Sequence, residues 1–348
     1  MNIFWEDLSK INDVEFIEWN RLRETTFFVT GATGLIGTAI VKALAFVNKK
    51  RNLGLRIIAL VRNEEKARAR FFACQEDVSL EFLVGSIESF DYNEVEGKID
   101  YIIHGASQTA SKEFVQHPVE TIDTALSGTK NILELAKIKN IQSLVYLSSM
   151  EVYGYPQKGH KVKEKEIGTF SPLNLRNSYP LSKVICENMC SAYAEEYDIP
   201  VRICRLTQTF GPGVSQNDNR IFAYFGRCIN NKENIVLKTK GETERCYLYT
   251  ADAVTAILVI LLHGKKGEAY NAGNEDSYCS ISEMAHRIAE ANGIDVEYDL
   301  QPASANGYPE TLYMDLDTSK LKGLGWNPIG GGYTIVEMIG RMVKGGYE

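Results

Sequence analysis

Residues 26–37 read T-F-F-V-T-G-A-T-G-L-I-G. The first half is a short apolar, β-branched run, the pattern of a buried strand. The second half spaces Gly31, Gly34 and Gly37 as G-x-x-G-x-x-G and opens onto residues 35–47, whose apolar positions recur at helical spacing. Strand, glycine turn and helix in that order can hold a dinucleotide. Gly31 lets the chain leave the strand sharply. Gly34 lets backbone N–H groups approach a pyrophosphate. Gly37 lets the helix pack close to the strand, its N-terminus facing the negative charge. Taken alone, the same pattern also describes a plain strand–helix turn.

Outward from this turn the chain alternates. Residues 56–61, 80–84, 101–104, 143–148 and 201–206 are further strand candidates, and 64–72 and 121–139 read as helices. Such alternation predicts an α/β fold, a doubly wound parallel sheet with right-handed crossovers. From about residue 211 the elements shorten and Gly, Asn and Pro become more frequent. This part is expected to be a smaller substrate lobe interleaved with the first. The division is thus 1–24 as an N-terminal extension, 25–210 as mainly the dinucleotide-binding domain, and 211–348 as mainly the substrate lobe.

Composition narrows the class. The chain has 348 residues, 44% hydrophobic and 24% charged, an ordinary globular balance. A net charge of −7 argues against binding nucleic acid through a basic surface. The longest apolar run, 256–262, is far short of a membrane span. Residues 1–24 lack the basic-then-apolar order of a signal peptide. Seven scattered cysteines without C-x-x-C fit a reducing cytoplasm, and five unclustered histidines predict no metal site.

The end of the second strand should meet the adenosine ribose, where a carboxylate would favour NAD. This chain has Arg62 and Asn63 there. Arg62 could pair a 2′-phosphate, stack on adenine or be a solvated helix-start residue. NADP is therefore placed slightly ahead of NAD.

The end of the fifth strand, Ser148-Ser149-Met150-Glu151-Val152-Tyr153-Gly154, should line the ligand crevice. Ser149 could bond a substrate oxygen and Glu151 could move a proton, although a surface glutamate is the plain alternative. Downstream, Tyr179 and Lys183 form Y-x-x-x-K, one helical turn apart. An ammonium beside a phenol lowers the phenol pKa, so Tyr179 is expected to take a proton from an alcohol. The plain alternative is a buried tyrosine and an exposed lysine.

With TGATGLIG, the residues DYIIHGAS at 100–107, SSMEVYG, YPLSK, RLTQTFGPG at 205–213, RCYLYTADAV at 245–254, YNAGNEDS at 270–277 and LGWNP at 324–328, the chain resembles the extended short-chain dehydrogenase/reductases that act as nucleotide-sugar epimerases and dehydratases. Its motifs are nearest to UDP-glucuronate decarboxylases, then 4,6-dehydratases. The resemblance implies a Rossmann-type sheet and Ser149, Glu151, Tyr179 and Lys183 as catalytic residues. For the cofactor it implies Gly31, Thr33, Gly34, Leu35, Ile36, Gly37, Arg62, Ser86, Ile87, Gly105, Ala106, Ser107 and Ser148, with Tyr179 and Lys183. For the sugar nucleotide it implies Ser149, Arg176, Gln208, Arg220 and Arg245, the last on the diphosphate. It also implies a homodimer through a four-helix bundle.

Three departures stand out. Met150 replaces the Asp that protonates the leaving C6 hydroxyl in dehydratases. Gln208 replaces the usual Asn, and Ser86 replaces the usual Asp after the third strand's glycine. The implied chemistry oxidises the sugar at C4, uses the 4-keto group to acidify C5 or to loosen a C6 carboxylate, and returns the hydride. A net NADPH-dependent 4-keto reductase, a 4,6-dehydratase and a non-catalytic dinucleotide sensor are the alternatives. Intact Ser149, Tyr179 and Lys183 speak against a pure sensor.

Overall fold

A computed structural model of the chain describes residues 3–74, 76–108, 111–301 and 311–346. In chain order, helix α1 (Ile3–Asp13) precedes β1 (Thr26–Thr30), α2 (Leu35–Arg51), β2 (Arg56–Val61), α3 (Glu64–Phe71), β3 (Ser79–Val84), β4 (Tyr101–His104), α4 (Ser111–Gln116), α5 (Pro118–Lys139), β5 (Ser143–Ser149), β6 (Lys161–Val162), α6 (Ser178–Glu196), β7 (Val201–Leu206) and β8 (Gln208–Phe210). There follow α7 (Ile221–Asn231), β9 (Ile235–Leu237), β10 (Glu244–Tyr249), α8 (Thr250–His263), β11 (Ala269–Ala272), β12 (Asn274–Ser280), α9 (Ile281–Asn292), β13 (Val296–Tyr298), β14 (Tyr313–Leu316), α10 (Ser319–Lys322) and α11 (Ile335–Gly345).

The six strand candidates read from the sequence, joined by β11, which the sequence reading did not single out, form a seven-stranded sheet in the order β11-β7-β5-β4-β1-β2-β3. Every neighbouring pair in it is parallel, as in a Rossmann-type fold. Residues of β1 and β4 are buried throughout, because helices cover both faces. Side chains of α1, α2 and α8 share one core, and those of α5 and α6 fill the other. From β1 the chain steps outward through β2 and β3, then returns to β4 on the opposite side of β1. The carboxyl ends of β1 and β4 therefore bound the switch point, where open α/β sheets bind ligands.

A second sheet runs β12-β10-β14-β6, with β8 beside β10. It draws β6 and β8 from before residue 211 and its other strands from after it, while late-chain β11 edges the large sheet. Residues 3–24 pack into the main core through Leu8, Ile11, Trp19 and Leu22. From α1, buried Asp7 meets Arg341 on α11 at 2.5 Å and the Tyr249 hydroxyl at 2.6 Å. Burial pushes the Asp7 carboxyl above the usual carboxylate range, against the pull of Tyr249 and Arg341.

Candidate active site

Every site residue singled out in the sequence lines one cleft of about 630 Å³ at the switch point. The glycine turn forms its floor. Gly31 has φ +66°, and a Cβ there would sit 2.6 Å from the Gly105 carbonyl carbon. A Cβ on Gly37 would lie 2.2 Å from the Gly31 oxygen. No side chain fits at either place, so backbone meets backbone where β1 and β4 part. Gly34 starts α2 without a side-chain cap, which leaves that helix N-terminus free for an anion. This cradle fits a dinucleotide pyrophosphate.

The far end of the cleft holds Arg62, Ser86, Ile87 and Glu88. Arg62 is exposed at the end of β2. Asn63 beside it caps α3 by accepting from the Lys66 N–H at 2.8 Å. Glu88, which the sequence reading passed over, accepts hydrogen bonds from the Ser86 and Thr124 hydroxyls. Burial raises its carboxyl, but those bonds and the Arg62 charge outweigh it and hold the group below the usual range.

A chain of polar groups stiffens the strand ends beneath. The Ala106 N–H donates to Thr30 Oγ1 at 3.1 Å. The Thr30 hydroxyl then has its proton for His104 Nδ1, 2.7 Å away. Nε2 therefore carries the imidazole proton toward Thr129 Oγ1 at 3.3 Å. The series continues from Thr129 to Cys186 Sγ at 3.3 Å and from there to the Ala125 carbonyl at 3.2 Å. Burial lowers the His104 pKa to about 3, so the ring is neutral.

The Tyr179 ring stacks on Phe114 at 4.4 Å and 4°. Lys183 donates to the Leu147 carbonyl at 2.8 Å and lies 5.6 Å from the Tyr179 ring centre. Both side chains are buried. Burial lowers the Lys183 pKa to about 8. The sequence predicted a lowered Tyr179 pKa, and the structure corrects this. Burial and the Glu151 charge push the phenol up, against a hydrogen bond with Ser149 and the charges of Arg176 and Arg220. Desolvation of the buried phenol is the largest influence, so in this form the rise wins.

Ser149 caps the turn Met150–Tyr153 by accepting from the Glu151 N–H at 3.2 Å. The Glu151 carboxylate is paired with Arg176, whose two terminal nitrogens each lie 3.2 Å from Oε2. Arg176 also covers the Phe114 ring at 4.9 Å. The Thr207 hydroxyl donates to the Cys246 carbonyl at 2.6 Å and lies 3.3 Å from Met150 Sδ. Ser148 lines the cleft, but its hydroxyl donates to Glu187 at 2.5 Å, and Glu187 in turn pairs with buried Arg205 at 2.6 Å.

Arg220 is held by Asp218 at 2.6 Å. Among the described residues Arg245 meets only Gln208 Oε1, at 3.5 Å, and its buried Nε has no partner. A buried guanidinium nitrogen without an acceptor fits a site for a phosphate oxygen. The sequence also missed Tyr155, Phe170, Leu312 and Met314 on this side of the cleft. Irregular loops and short strands bring them there, and no periodic pattern marks them.

Residues 27–273 match the family described as the NAD dependent epimerase/dehydratase family. The chain belongs to this family. It is 32% identical over 232 residues to UDP-glucuronic acid decarboxylase 1 of Xenopus tropicalis, a match covering 67% of this chain and 54% of that protein. It is 30% identical over 240 residues to the dTDP-D-glucose 4,6-dehydratase of Bos taurus, covering 66% of this chain and 64% of that protein. The chain thus spans little more than half to two thirds of these relatives. The solved UDP-glucuronic acid 4-epimerase from Bacillus cereus, in complex with UDP-glucuronic acid and NAD, aligns with TM-score 0.76 at 18% identity. That alignment covers 92% of this chain and 98% of the epimerase, and it speaks for the fold. Within the epimerase/dehydratase family this member carries Met150, Gln208 and Ser86 at three cleft positions, where the sequence comparison anticipated Asp, Asn and Asp.

Proposed function

We propose that the chain is a nucleoside-diphosphate-sugar modifying enzyme acting through a 4-keto sugar with a recycled nicotinamide dinucleotide, as an epimerase or a decarboxylase. The observation that carries this reading is the convergence of Ser149, Tyr179 and Lys183 with the unpartnered Arg245 Nε in one cleft built on the glycine turn. Tyr179 takes the proton of the C4 hydroxyl and Ser149 bonds the same oxygen. Lys183 brings positive charge to that end of the cleft, and Glu151 exchanges a proton at C5 once C4 is a ketone. Arg245 clamps the diphosphate. A bound nicotinamide dinucleotide supplies the acceptor that takes hydride from C4 and returns it.

NADP is favoured over NAD because Arg62 is exposed at the end of β2 with no carboxylate on that strand end. The same arginine supports a second reading, a net 4-keto reductase consuming NADPH. The assembly is taken to be a homodimer. Val119 and Ile122 on α5 and Ile185 on α6 are exposed, which supports an apolar face for a second copy. No described helix is long and apolar enough to cross a membrane. The free, buried cysteines support a reducing cytoplasm.

The test is a panel of UDP-, dTDP-, GDP- and CDP-sugars followed by mass spectrometry, without added NAD(P)H. Turnover to an isomer or to a pentose with loss of CO₂ supports the reading. Turnover only with added NADPH moves the protein to the reductase reading. A 4-keto-6-deoxy product, for which Met150 has no proton to give, overturns the assignment of roles at residues 149–151.

A further inference from the structure

Glu187 on α6 and Arg205 on β7 form a buried ion pair outside the cleft lining. Arg205 approaches side-on, with Nε 3.0 Å from Oε1 and Nη2 2.6 Å from Oε2. The pair reaches further. Glu187 Oε1 accepts from the Ser148 hydroxyl at 2.5 Å. Arg205 Nη1 donates to the Tyr153 hydroxyl at 2.8 Å and to the Glu164 carbonyl at 2.9 Å. Tyr153 in turn donates to Asn271 on β11 at 2.6 Å.

These contacts bracket the reactive segment. Ser148 precedes Ser149, and Tyr153 closes the turn Met150–Tyr153 that carries Glu151. Glu187 is one helical turn past Lys183 and two past Tyr179, on the same face of α6. Lys183 holds the Leu147 carbonyl and Glu187 holds the Ser148 hydroxyl, so consecutive residues of β5 are stitched to successive turns of α6. Sliding α6 along β5 would break both bonds and part Glu187 from Arg205, and an orphaned buried charge is costly.

We infer that Glu187 and Arg205 are positioning residues: their ion pair, through Ser148 and Tyr153, sets the register of β5 against α6 and so holds the Ser149 hydroxyl on the Tyr179 phenol. This rests on the function proposed above, in which Ser149 and Tyr179 share the C4 oxygen. Neither Glu187 nor Arg205 lines the cleft, so their effect on the chemistry passes through the segment and the helix they tie. Displacing reacting groups by about 1 Å can cost about 10²-fold in rate.

The experiment takes a nucleotide sugar that the wild type turns over. It compares Ser148→Ala, Glu187→Gln and the double variant by steady-state kinetics, with dinucleotide affinity measured by fluorescence titration. Ser148→Ala unties β5 and keeps the ion pair, so the chain should fold. Its kcat should fall about 10- to 100-fold. KM and the dinucleotide Kd should stay within about twofold of the wild type. The rise of kcat with pH should move to higher pH, because the Ser149 bond that holds the Tyr179 phenol down is loosened. The double variant should lose no more than Glu187→Gln alone, since both break one link. If Glu187→Gln does not fold, the rate, KM and pH profile of Ser148→Ala decide. A Ser148→Ala kcat within about twofold of the wild type overturns the inference. So does a loss that is equal at every pH, or a double variant whose losses add. Weakened dinucleotide binding in Ser148→Ala would put the role of that hydroxyl at the cofactor and overturn it too. A wild type that turns over no nucleotide sugar overturns the proposed function, and this inference with it.

Discussion

Lys183 donates its ammonium to the carbonyl of Leu147, 2.8 Å away and 36 residues earlier in the chain. That bond anchors the catalytic helix α6 to the end of β5. Burial has raised the Tyr179 phenol pKa. Tyr179 is therefore protonated at rest in the cofactor-free protein. It acts as a base only when positive charge gathers near its oxygen.

Tyr179→Phe removes the phenolic oxygen and keeps the ring on Phe114. Turnover should fall by at least about 10²-fold, the range for loss of a general acid–base. Cofactor affinity, measured by fluorescence titration, should stay near that of the wild type. Wild-type turnover in the variant would rule out the catalytic assignment.

Lys183 should make stability depend on pH. Its folded pKa is about 8, against an ordinary value of 10.5. Below about pH 8 the charge is carried into the fold and the burial penalty is present in full. Between about pH 8 and 10.5 the unfolded chain holds more protons than the native one, so this group makes stability rise with pH. The full penalty is on the order of 3 kcal/mol. Urea titrations of the cofactor-free protein should show Lys183→Met gaining on the wild type at pH 7 and losing that advantage by pH 10.5. A pH-independent difference would contradict the burial argument.

Arg62→Ala should weaken NADP far more than NAD, by about 1.5–3 kcal/mol for a charge-assisted bond. Equal weakening of both cofactors would mean that the guanidinium stacks on adenine. Unchanged affinities would make Arg62 a surface residue.

The strap formed by residues 3–24 should matter for stability. Arg341→Ala leaves Asp7 buried beside Tyr249 without its counter-ion, at a cost of about 3–5 kcal/mol. Asp7→Asn with Arg341→Met removes both charges and should recover much of that loss. Chemical denaturation of the two variants checks this, and a silent Arg341→Ala would refute it.

Light scattering at micromolar concentration should give a dimer, and Ile122→Lys should shift it toward monomer. Ile132, Leu135 and Ala136 of α5 pack into the core under the sheet and so form the face that covers it. Ile122 is 40% exposed and Val119 72%. A wild-type monomer would exclude the assembly.

The sequence by itself determined six strands of the seven-stranded parallel sheet and the glycine-turn, serine and Tyr/Lys positions of the cleft, but not β11 or the cleft residues Glu88, Tyr155, Phe170, Leu312 and Met314. What it determined follows from local rules. Glycine spacing, a helical turn between Tyr179 and Lys183, and short apolar runs specify backbone shape over a few residues. Tertiary structure decided who partners whom, and so what charge each group carries. Glu151 meets Arg176, Ser148 meets Glu187, and Asp7 meets Arg341 from the opposite end of the chain. No pattern in the sequence encodes these pairs, because they arise where separate elements pack. Tyr179 shows the physical reason most clearly. From spacing, its pKa should fall toward a neighbouring lysine. In the folded chain it rises, because the packed elements desolvate the phenol and bring the Glu151 carboxylate near it.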